Sequence, residues 1–231
     1  MTYDNYYEYE RDSYYCYPNC FTLKNKLNIK DEDLLKEAER QITAVKILDI
    51  KMHPVKGDLN FAHLVNIHKY IFEDIYKWAG EIRSVNISKG SQFCNYLFIN
   101  NMAEEIFLKL KKESYLIGMP KEEVILRLSY YLGELNAMHP FREGNGRAQR
   151  VFIEYLAQIA GYYVDFSKVS SKEMIEASAD SFVCNYNKMN NMFRKIIESN
   201  SNDDQKEFIS SISFPNGILL KTFNLLKQHM E

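Results

Sequence analysis

Apolar side chains recur at three- and four-residue spacing along most of the chain, which is the period of one face of an α-helix. This spacing predicts helices over residues 32–50, 61–78, 101–115, 121–138 and 147–160, another from Ser170 or Ser171 to about residue 197, and a tail helix over 216–229. Gly80 and Gly161 follow two of these segments, as glycine often does at a helix C-terminus. The pattern therefore predicts an all-α fold.

The first of these helices has an expected start and an expected buried face. Asp31 precedes it as a candidate N-cap, a residue whose side chain accepts a hydrogen bond from a first-turn N–H group. Leu35, Ala38, Ile42 and Val45 then form one apolar stripe along the helix. We expect this stripe to pack against the core.

Residues 83–99 do not follow the helical period. Four apolar residues mix with polar ones around a Lys-Gly-Ser turn at 89–91, namely Val85, Ile87, Phe93 and Leu97. This pattern predicts a β-hairpin, with a surface loop as the alternative. A lone hairpin in a helical chain is unstable unless another segment packs on it or pairs with its edge, so we expect it to contact a partner.

Two polar stretches suggest how the chain is divided. The Tyr-rich start, to about Asn19, predicts irregular structure, and the segment SNSNDDQK at 199–206 predicts a linker. We therefore expect one domain over residues 1–198, with its core at about 17–197. Residues 199–231 would then form a linker and a C-terminal helix.

Charge and composition narrow the class of partner. The formal net charge is −2, so no broad basic surface is available to attract nucleic acid or an anionic membrane. No apolar stretch approaches membrane-spanning length, and the polar, acidic N-terminus does not resemble a signal peptide. The four cysteines are scattered and are expected to be reduced, at positions 16, 20, 94 and 184. These features predict a cytoplasmic protein, and they leave signal-independent export and the oligomeric state open.

Residues 139–150, HPFREGNGRAQR, combine several groups that suit a polyphosphate ligand. A glycine-containing loop leads directly into a helix N-terminus, where unpaired N–H groups and the helix dipole favour an anion. Gly144 and Gly146 leave room for the backbone to wrap that anion. Arg147 and Arg150 are three residues apart on the helix, and each guanidinium can bind phosphate with two parallel hydrogen bonds.

Two more residues of this stretch suit catalysis. Glu143 would repel phosphates unless a cation lay between them, so it is a candidate Mg²⁺ ligand. His139 has an ordinary pKa near neutrality and is a candidate general base for an incoming hydroxyl. Taken singly, Glu143 could instead stabilise the helix start, and His139 could simply end a helix. Together, the stretch offers a phosphate grip, a metal ligand and a base within twelve residues.

The same stretch matches every fixed position of H-x-F-x-[DE]-G-N-G-R-x-x-R, the signature of the Fic family. The segment TLKNK at 22–26 and residues 71–80 also resemble the N-terminal part of bacterial Fic proteins. The resemblance covers roughly residues 17–197, and it is strongest at the signature. It implies a helical bundle with the signature on a loop and helix.

The resemblance also implies an activity, namely transfer of AMP from ATP to a Tyr, Thr or Ser hydroxyl of another protein. His139 would be the general base and Glu143 would hold Mg²⁺ against the α- and β-phosphates. Gly144, Asn145 and Gly146 would form the anion hole that binds the α-phosphate. Arg147 would bind the β-phosphate, and Arg150 would bind the γ-phosphate. The hairpin would be the family's flap, which holds the target segment by strand addition. Its target-binding residues would be Ile87, Ser88, Lys89, Gly90, Ser91, Gln92 and Phe93.

Regulation and the transferred group leave alternatives. Many Fic proteins carry an inhibitory [ST]-x-x-x-E-[GN] helix, and no Ser or Thr in this chain has Glu four residues later. The inhibitor is therefore expected to be a separate small antitoxin or to be absent, with a diverged internal segment as the alternative. Because no long C-terminal secretion domain follows the Fic-like core, we expect a toxin of a toxin–antitoxin pair and not an exported effector. Doc-like relatives phosphorylate, but they carry Lys where this chain has Gly146. Transfer of UMP, GMP or phosphocholine, and a non-catalytic binding protein, remain alternatives.

Overall fold

The computed structural model describes residues 8–9, 13–215 and 217–228. Within these residues the chain forms nine α-helices: α1 (Glu32–Met52), α2 (Phe61–Phe72), α3 (Ile99–Lys112), α4 (Lys121–Met138), α5 (Asn145–Ile159), α6 (Ser171–Ser181), α7 (Asn187–Ile196), α8 (Asn202–Ile212) and α9 (Ile218–Gln228). Five short strands complete it: β1 (Glu8–Tyr9), β2 (Ile87–Lys89), β3 (Ser91–Gln92), β4 (Tyr162–Val164) and β5 (Ile197–Ser199). The predicted fold class, a helical bundle with one hairpin, is confirmed.

The centre of the bundle is α5, which packs against α2 and α4. Its buried side chains lie on nearly all sides of the helix, as expected of a helix that other elements surround. α4 ends at Met138 and α5 begins at Asn145, so the short connection between them starts and ends on buried helices. This connection is the signature loop, and the core therefore fixes both of its ends.

α1 begins as predicted but turns a different face to the core. The Asp31 carboxylate accepts a hydrogen bond from Leu34 N–H at 2.8 Å, which confirms the N-cap. The buried residues, however, are Leu35, Glu39, Thr43 and Ile50, whereas Val45 of the predicted stripe is 67% exposed. The prediction of the buried face was wrong at Val45 and holds in part at Ala38 and Ile42, which are half-buried, with Ile42 packed against the core. The inner face of α1 instead uses the polar side chains of Glu39 and Thr43 to meet the signature helix.

α2 is shorter than predicted, since it ends at Phe72 and not near residue 78. Beyond Phe72 the Ile75 carbonyl accepts a hydrogen bond from Lys26 N–H at 2.7 Å, and the chain continues in turns. Ile75 and Trp78 are nevertheless buried, so their helical spacing correctly marked core residues but not a helix. Gly80, with φ +83°, lies in the left-handed region after these turns.

The long helix predicted from residue 170 to about 197 is interrupted. α6 begins with a capping box in which Ser170 and Glu173 exchange hydrogen bonds, and it ends at Ser181. Cys184 then adopts a left-handed φ of 57°, and α7 begins at Asn187. The apolar spacing continues across this break, which is why the sequence pattern did not reveal it.

The predicted linker at 199–206 was also wrong, because most of it belongs to α8. Ser201 caps this helix by accepting a hydrogen bond from Asp204 N–H, so its polar residues are a helix start. Ile209 and Ile212 are buried, and the Gln205 amide donates to the Ile159 carbonyl at 2.6 Å. The division of the chain at residue 198 stays a prediction.

The hairpin is confirmed in a shorter form, with Gly90 at φ +70° between β2 and β3. β1 pairs antiparallel with the other side of β2, Glu8 opposite Ser88 and Tyr9 opposite Ile87, so the strand order is β1-β2-β3. The expected irregular start is therefore wrong at β1, which supplies the hairpin with a strand partner. The prediction is confirmed at residues 13–19, which form turns and an isolated bridge at Cys16, and at 1–7 and 10–12 it lies outside the described residues.

Among the described residues, no helix combines the length and the apolar composition needed to span a membrane.

Candidate active site

His139 is the first residue after α4 and begins the signature loop. It is the C-cap of α4, with φ 44° and ψ 62°, and its N–H donates to the Leu135 carbonyl at 3.0 Å. A left-handed backbone costs a residue other than glycine about 1–2 kcal/mol. The surrounding structure must therefore hold His139 in place.

The imidazole of His139 is buried and neutral. The side chain is only 5% exposed, and its ring stacks on Phe93 of the hairpin with centroids 3.7 Å apart. Burial, followed by the nearby cations Arg83 and Lys89, lowers the pKa of His139 to about 3. Nδ1 lies 3.0 Å from the Asn136 carbonyl, which can only accept, so the ring proton is on Nδ1 and Nε2 is the basic nitrogen. This is the form that a general base requires.

Arg83 connects the start of the signature loop, at His139, to the base of the hairpin. It is 1% exposed, and its backbone N–H donates to the Pro140 carbonyl at 2.9 Å. Its guanidinium donates to backbone carbonyls on both sides: Val85 at 2.7 Å, His139 at 2.8 Å, Met138 at 3.3 Å, and Cys94. Burial lowers the pKa of Arg83 to about 10, so it remains a cation at neutral pH.

The loop itself is braced by two buried side chains. The amide of Asn145 accepts from Phe141 N–H at 2.8 Å and donates to the Phe141 carbonyl at 2.7 Å, which closes the turn. His68 stacks on the Phe141 ring at 3.8 Å, accepts from Gly80 N–H at Nδ1, and donates from Nε2 to the Glu143 carbonyl at 2.9 Å. Both contacts fix the course of the chain between α4 and α5.

Glycine is required at position 144 for two reasons. Its φ of +81° is left-handed, and a Cβ atom there would lie 2.1 Å from the ring of Phe72. At Gly146, a Cβ would lie 3.2 Å from the Arg150 guanidinium. The missing side chains keep the N-terminus of α5 open above the backbone.

The two signature arginines differ in their surroundings. Arg147 forms an ion pair with Glu39 of α1, donates to the Thr43 hydroxyl at 3.1 Å, and lies 4.7 Å from the centroid of the Phe72 ring. Arg150 forms no hydrogen bond or ion pair with any residue that the structure describes. Burial and the Arg147 charge lower the pKa of Arg150, although Glu154 opposes them. The neighbourhood of Arg150 would therefore be stabilised by an added anion.

Glu143 is compatible with Mg²⁺, but only with help from a ligand. Its side chain is 23% exposed, and Oε1 accepts from Gly144 N–H at 2.8 Å and lies 3.6 Å from an Arg147 nitrogen. The described residues contain no cluster of three or more His, Cys, Asp or Glu side chains that could hold a metal ion alone. Mg²⁺ commonly takes one carboxylate together with phosphate oxygens and waters. The site fits an ion that arrives with a nucleotide.

The predicted flap residues divide into two groups. Ile87 and Phe93 are buried, and Phe93 N–H donates to the Ile87 carbonyl at 3.3 Å, close to where Phe93 stacks on His139. Gly90, Ser91 and Gln92 are exposed at the tip, and Ser88 and Lys89 are partly buried. The hairpin therefore has one end against the histidine and the other in solvent.

Sequence reasoning missed Glu39, Arg83 and the bracing role of His68. Each looked like a polar residue on a helix or at the start of a hairpin, and nothing in its spacing marked it. For His68, the helical stripe that it shares with Ile67 and Ile71 correctly indicated burial. The hydrogen bonds that give these residues a role depend on segments far away in the sequence.

Comparisons with known proteins show which family the chain belongs to. A sequence model of the Fic/DOC family matches residues 58–157, which include the signature. The chain is 33% identical to a probable protein adenylyltransferase Fic of Escherichia coli K12 over 79% of this chain and 91% of that protein. It is 37% identical to the probable protein adenylyltransferase y4lH of Sinorhizobium fredii over 72% of this chain and 86% of that protein.

A longer relative and a solved structure extend the match. The chain is 38% identical to protein adenylyltransferase VbhT of Bartonella schoenbuchensis, over 82% of this chain but only 40% of VbhT. The structure of the BepC protein of Bartonella tribocorum with bound AMPPNP superposes with a TM-score of 0.77 at 26% identity, covering 84% of this chain and all of that one. The signature, the fold and these relatives together show that the chain belongs to the Fic/DOC family.

Proposed function

We propose that this chain is a protein adenylyltransferase that moves AMP from ATP to a Tyr, Thr or Ser hydroxyl of a target protein. The observation that carries the proposal is the buried, neutral His139 a few residues before the glycine-lined N-terminus of α5, with Arg150 in the second turn of that helix. The names of the relatives, protein adenylyltransferase and probable protein adenylyltransferase, support the reaction. The AMPPNP bound to the BepC structure supports the nucleotide.

The chemistry is an in-line displacement at the α-phosphorus. His139 Nε2 takes the proton of the target hydroxyl, whose oxygen then bonds to the α-phosphorus. The bond from that phosphorus to the oxygen bridging to the β-phosphate breaks, and pyrophosphate leaves. Most of the rate enhancement in such reactions comes from positioning and charge stabilisation. Mg²⁺, held by Glu143, would neutralise charge on the phosphates.

The phosphate contacts follow from the start of α5. The N–H groups of Asn145 and Gly146 open the helix, where such groups lack intrahelical acceptors, and would bind the α-phosphate. Asn145 would act mainly by holding the loop, since both polar atoms of its amide contact Phe141. Arg147 would bind the β-phosphate while Glu39 holds it. Arg150 would bind the γ-phosphate.

The target segment would bind along the flap, residues 87–93. Because β2 lies between β1 and β3, each outer strand has one edge without a partner among the described strands of this sheet, and the edge formed by flap residues 91–92 is that of β3. An extended target segment would pair there with Ser91 and Gln92, or would displace β1 from β2. Pairing along β3 would leave the target segment one residue from Phe93, whose ring stacks on His139.

The chain would act as a bacterial cytoplasmic toxin restrained by a small antitoxin. The Arg150 guanidinium forms no ion pair with a described residue, although the charge of Glu154 acts on it, so an inhibitory glutamate supplied in trans would find it available. α1 also exposes Val45, Leu48 and Met52 at three- and four-residue spacing, an apolar stripe that a partner helix would cover. Co-purification from the native host tests this idea: an acidic helical partner lost on Leu48→Asp supports it, and an unaccompanied, unrestrained chain contradicts it.

The reaction is tested with ATP labelled at either the α- or the γ-phosphate, Mg²⁺ and bacterial lysate. Protein label from the α position only is expected, with none after His139→Ala, less after Arg150→Ala, and no change after His53→Ala at an exposed histidine. Label from the γ position only would show phosphoryl transfer. If no protein is labelled from either position in lysates of several hosts, the chain is a non-catalytic nucleotide-binding protein and the proposed reaction is wrong.

A further inference from the structure

Arg83 is a buried cation that is not used by the proposed chemistry. Buried arginines are usually paired with a carboxylate, because an unpaired charge is costly to remove from water. All the hydrogen bonds that the structure gives the Arg83 guanidinium go instead to backbone carbonyls. Because burying this unpaired charge costs stability, we expect a function that requires it.

The carbonyls belong to two segments that are distant in sequence. Met138 and His139 lie at the end of α4, whereas Val85 and Cys94 flank the hairpin at its base. The same junction is closed by Cys94 N–H, which donates to the Ala137 carbonyl at 2.9 Å. One planar guanidinium thus fixes the histidine and both legs of the flap relative to each other.

The His139 backbone needs such support because it is left-handed. The guanidinium Nε of Arg83 donates to the His139 carbonyl, and the Arg83 backbone N–H donates to the next carbonyl, that of Pro140. On the other side, the Phe93 ring stacks on the imidazole and the Phe93 backbone follows directly from β3. The position of the base and the position of the flap are therefore coupled through Arg83.

We propose that Arg83 is a positioning residue that sets His139 in register with the target-binding flap. The inference rests on the proposed function, in which His139 is the base and the flap holds the target. Arginine is needed because its rigid, planar fork reaches carbonyls on two sides at once, and lysine presents a single ammonium on a flexible stem. Nucleotide binding at residues 143–150 would not depend on Arg83.

The kinetic test compares Arg83→Lys with Arg127→Lys. Arg127 is the control: it forms an ion pair with Glu113, its side chain is 24% exposed, and it lies on α4 twelve residues before His139, about 18 Å along the helix. Initial rates of α-label transfer to lysate protein are measured against ATP concentration. For Arg83→Lys we expect the rate at saturating ATP to fall by about 10²-fold, as for other small misplacements of reacting groups, with an unchanged KM for ATP. Arg127→Lys should keep both values.

A second readout does not depend on catalysis. Amide hydrogen exchange at Phe93 and Cys94 should be faster in Arg83→Lys than in the wild-type chain, and unchanged in Arg127→Lys. In the wild-type protein, the Nε–H of Arg83 should exchange as slowly as core amides. This last measurement needs no variant, so a poorly folding substitution does not leave the proposal undecided.

The outcomes separate this inference from the proposed function. If the wild-type chain transfers no AMP, the proposed function fails, and slow Nε–H exchange with faster Phe93 exchange in Arg83→Lys still supports the coupling of loop and flap. If the wild-type chain is active and Arg83→Lys matches it in rate, the positioning role is wrong. Two other results would also contradict the positioning role and leave Arg83 with a structural role alone. One is a rise in the KM for ATP in Arg83→Lys. The other is a loss of transfer rate in both lysine variants in proportion to their loss of thermal stability.

Discussion

At the scale of residues, the site depends on backbone geometry as much as on reactive side chains. His139 and Gly144 both have left-handed φ angles, and they stand at the two ends of the loop between α4 and α5. The signature motif supplied the candidate reactive residues from sequence alone, because they are consecutive or nearly so. Glu39 and Arg83 could not be found in this way, since each acts through a contact more than fifty residues away along the chain.

Gly144→Ala should destabilise the protein more than Gly90→Ala. Both substitutions place alanine at a left-handed φ, which costs about 1–2 kcal/mol. At Gly144 the new Cβ also meets the Phe72 ring, and such overpacking typically adds about 1–3 kcal/mol. A Cβ at Gly90 has nothing within 4 Å. Urea unfolding measures the difference, and equal losses for the two variants would show that the loop moves away from Phe72 freely.

At the scale of elements, the helical period was a good guide where a helix is simply buried. α4 was predicted with its observed bounds, and α5 was placed within two residues. The period failed where apolar spacing continues through turns, as after Phe72 and between α6 and α7. It also failed at α8, because a helix that starts with Ser, Asn and Asp has the composition of a linker.

Removing residues 199–231 should weaken the rest of the protein. α8 buries Ile209 and Ile212, each worth about 1.5–3 kcal/mol, and its Ile212 carbonyl accepts from Gly57 N–H at 2.8 Å. We therefore expect residues 1–198 to unfold at a clearly lower temperature and urea concentration than the full chain. If the two unfold alike, α8 and α9 are an independent appendage and the predicted boundary at residue 198 is correct.

At the scale of the whole molecule, three histidines within the part of the chain that the structure describes are buried in the neutral form. Burial lowers the pKa of His63 to about 4, of His68 to about 3 and of His139 to about 3, below the ordinary value of 6.5. His68 and His139 belong to the candidate site, so the burial that keeps the proposed base neutral also makes the free energy of unfolding depend on pH. Glu39 and Glu154, whose pKa values are raised by burial, act in the opposite direction.

The free energy of unfolding should therefore fall as the solution becomes more acidic. Below a pH of about 6.5 the unfolded chain binds protons that the folded chain excludes, and each histidine adds a slope of up to about 1.4 kcal/mol per pH unit until its folded pKa is reached. Urea unfolding at about pH 7 and about pH 5 measures the loss. His63→Gln, which removes one such histidine outside the site, should lessen the slope. A stability that does not change between the two conditions would mean that these side chains are not buried as described.

In the proposed function, the start of α5 binds the phosphates of a nucleotide beside the imidazole of His139. A crystal structure of this chain with a non-hydrolysable ATP analogue and Mg²⁺ tests it most directly. We predict the γ-phosphate at Arg150, the metal at Glu143 and the α-phosphate over Gly144–Gly146, on the side facing His139. A triphosphate bound elsewhere, or reversed so that its γ-phosphate lies next to His139, would contradict the account.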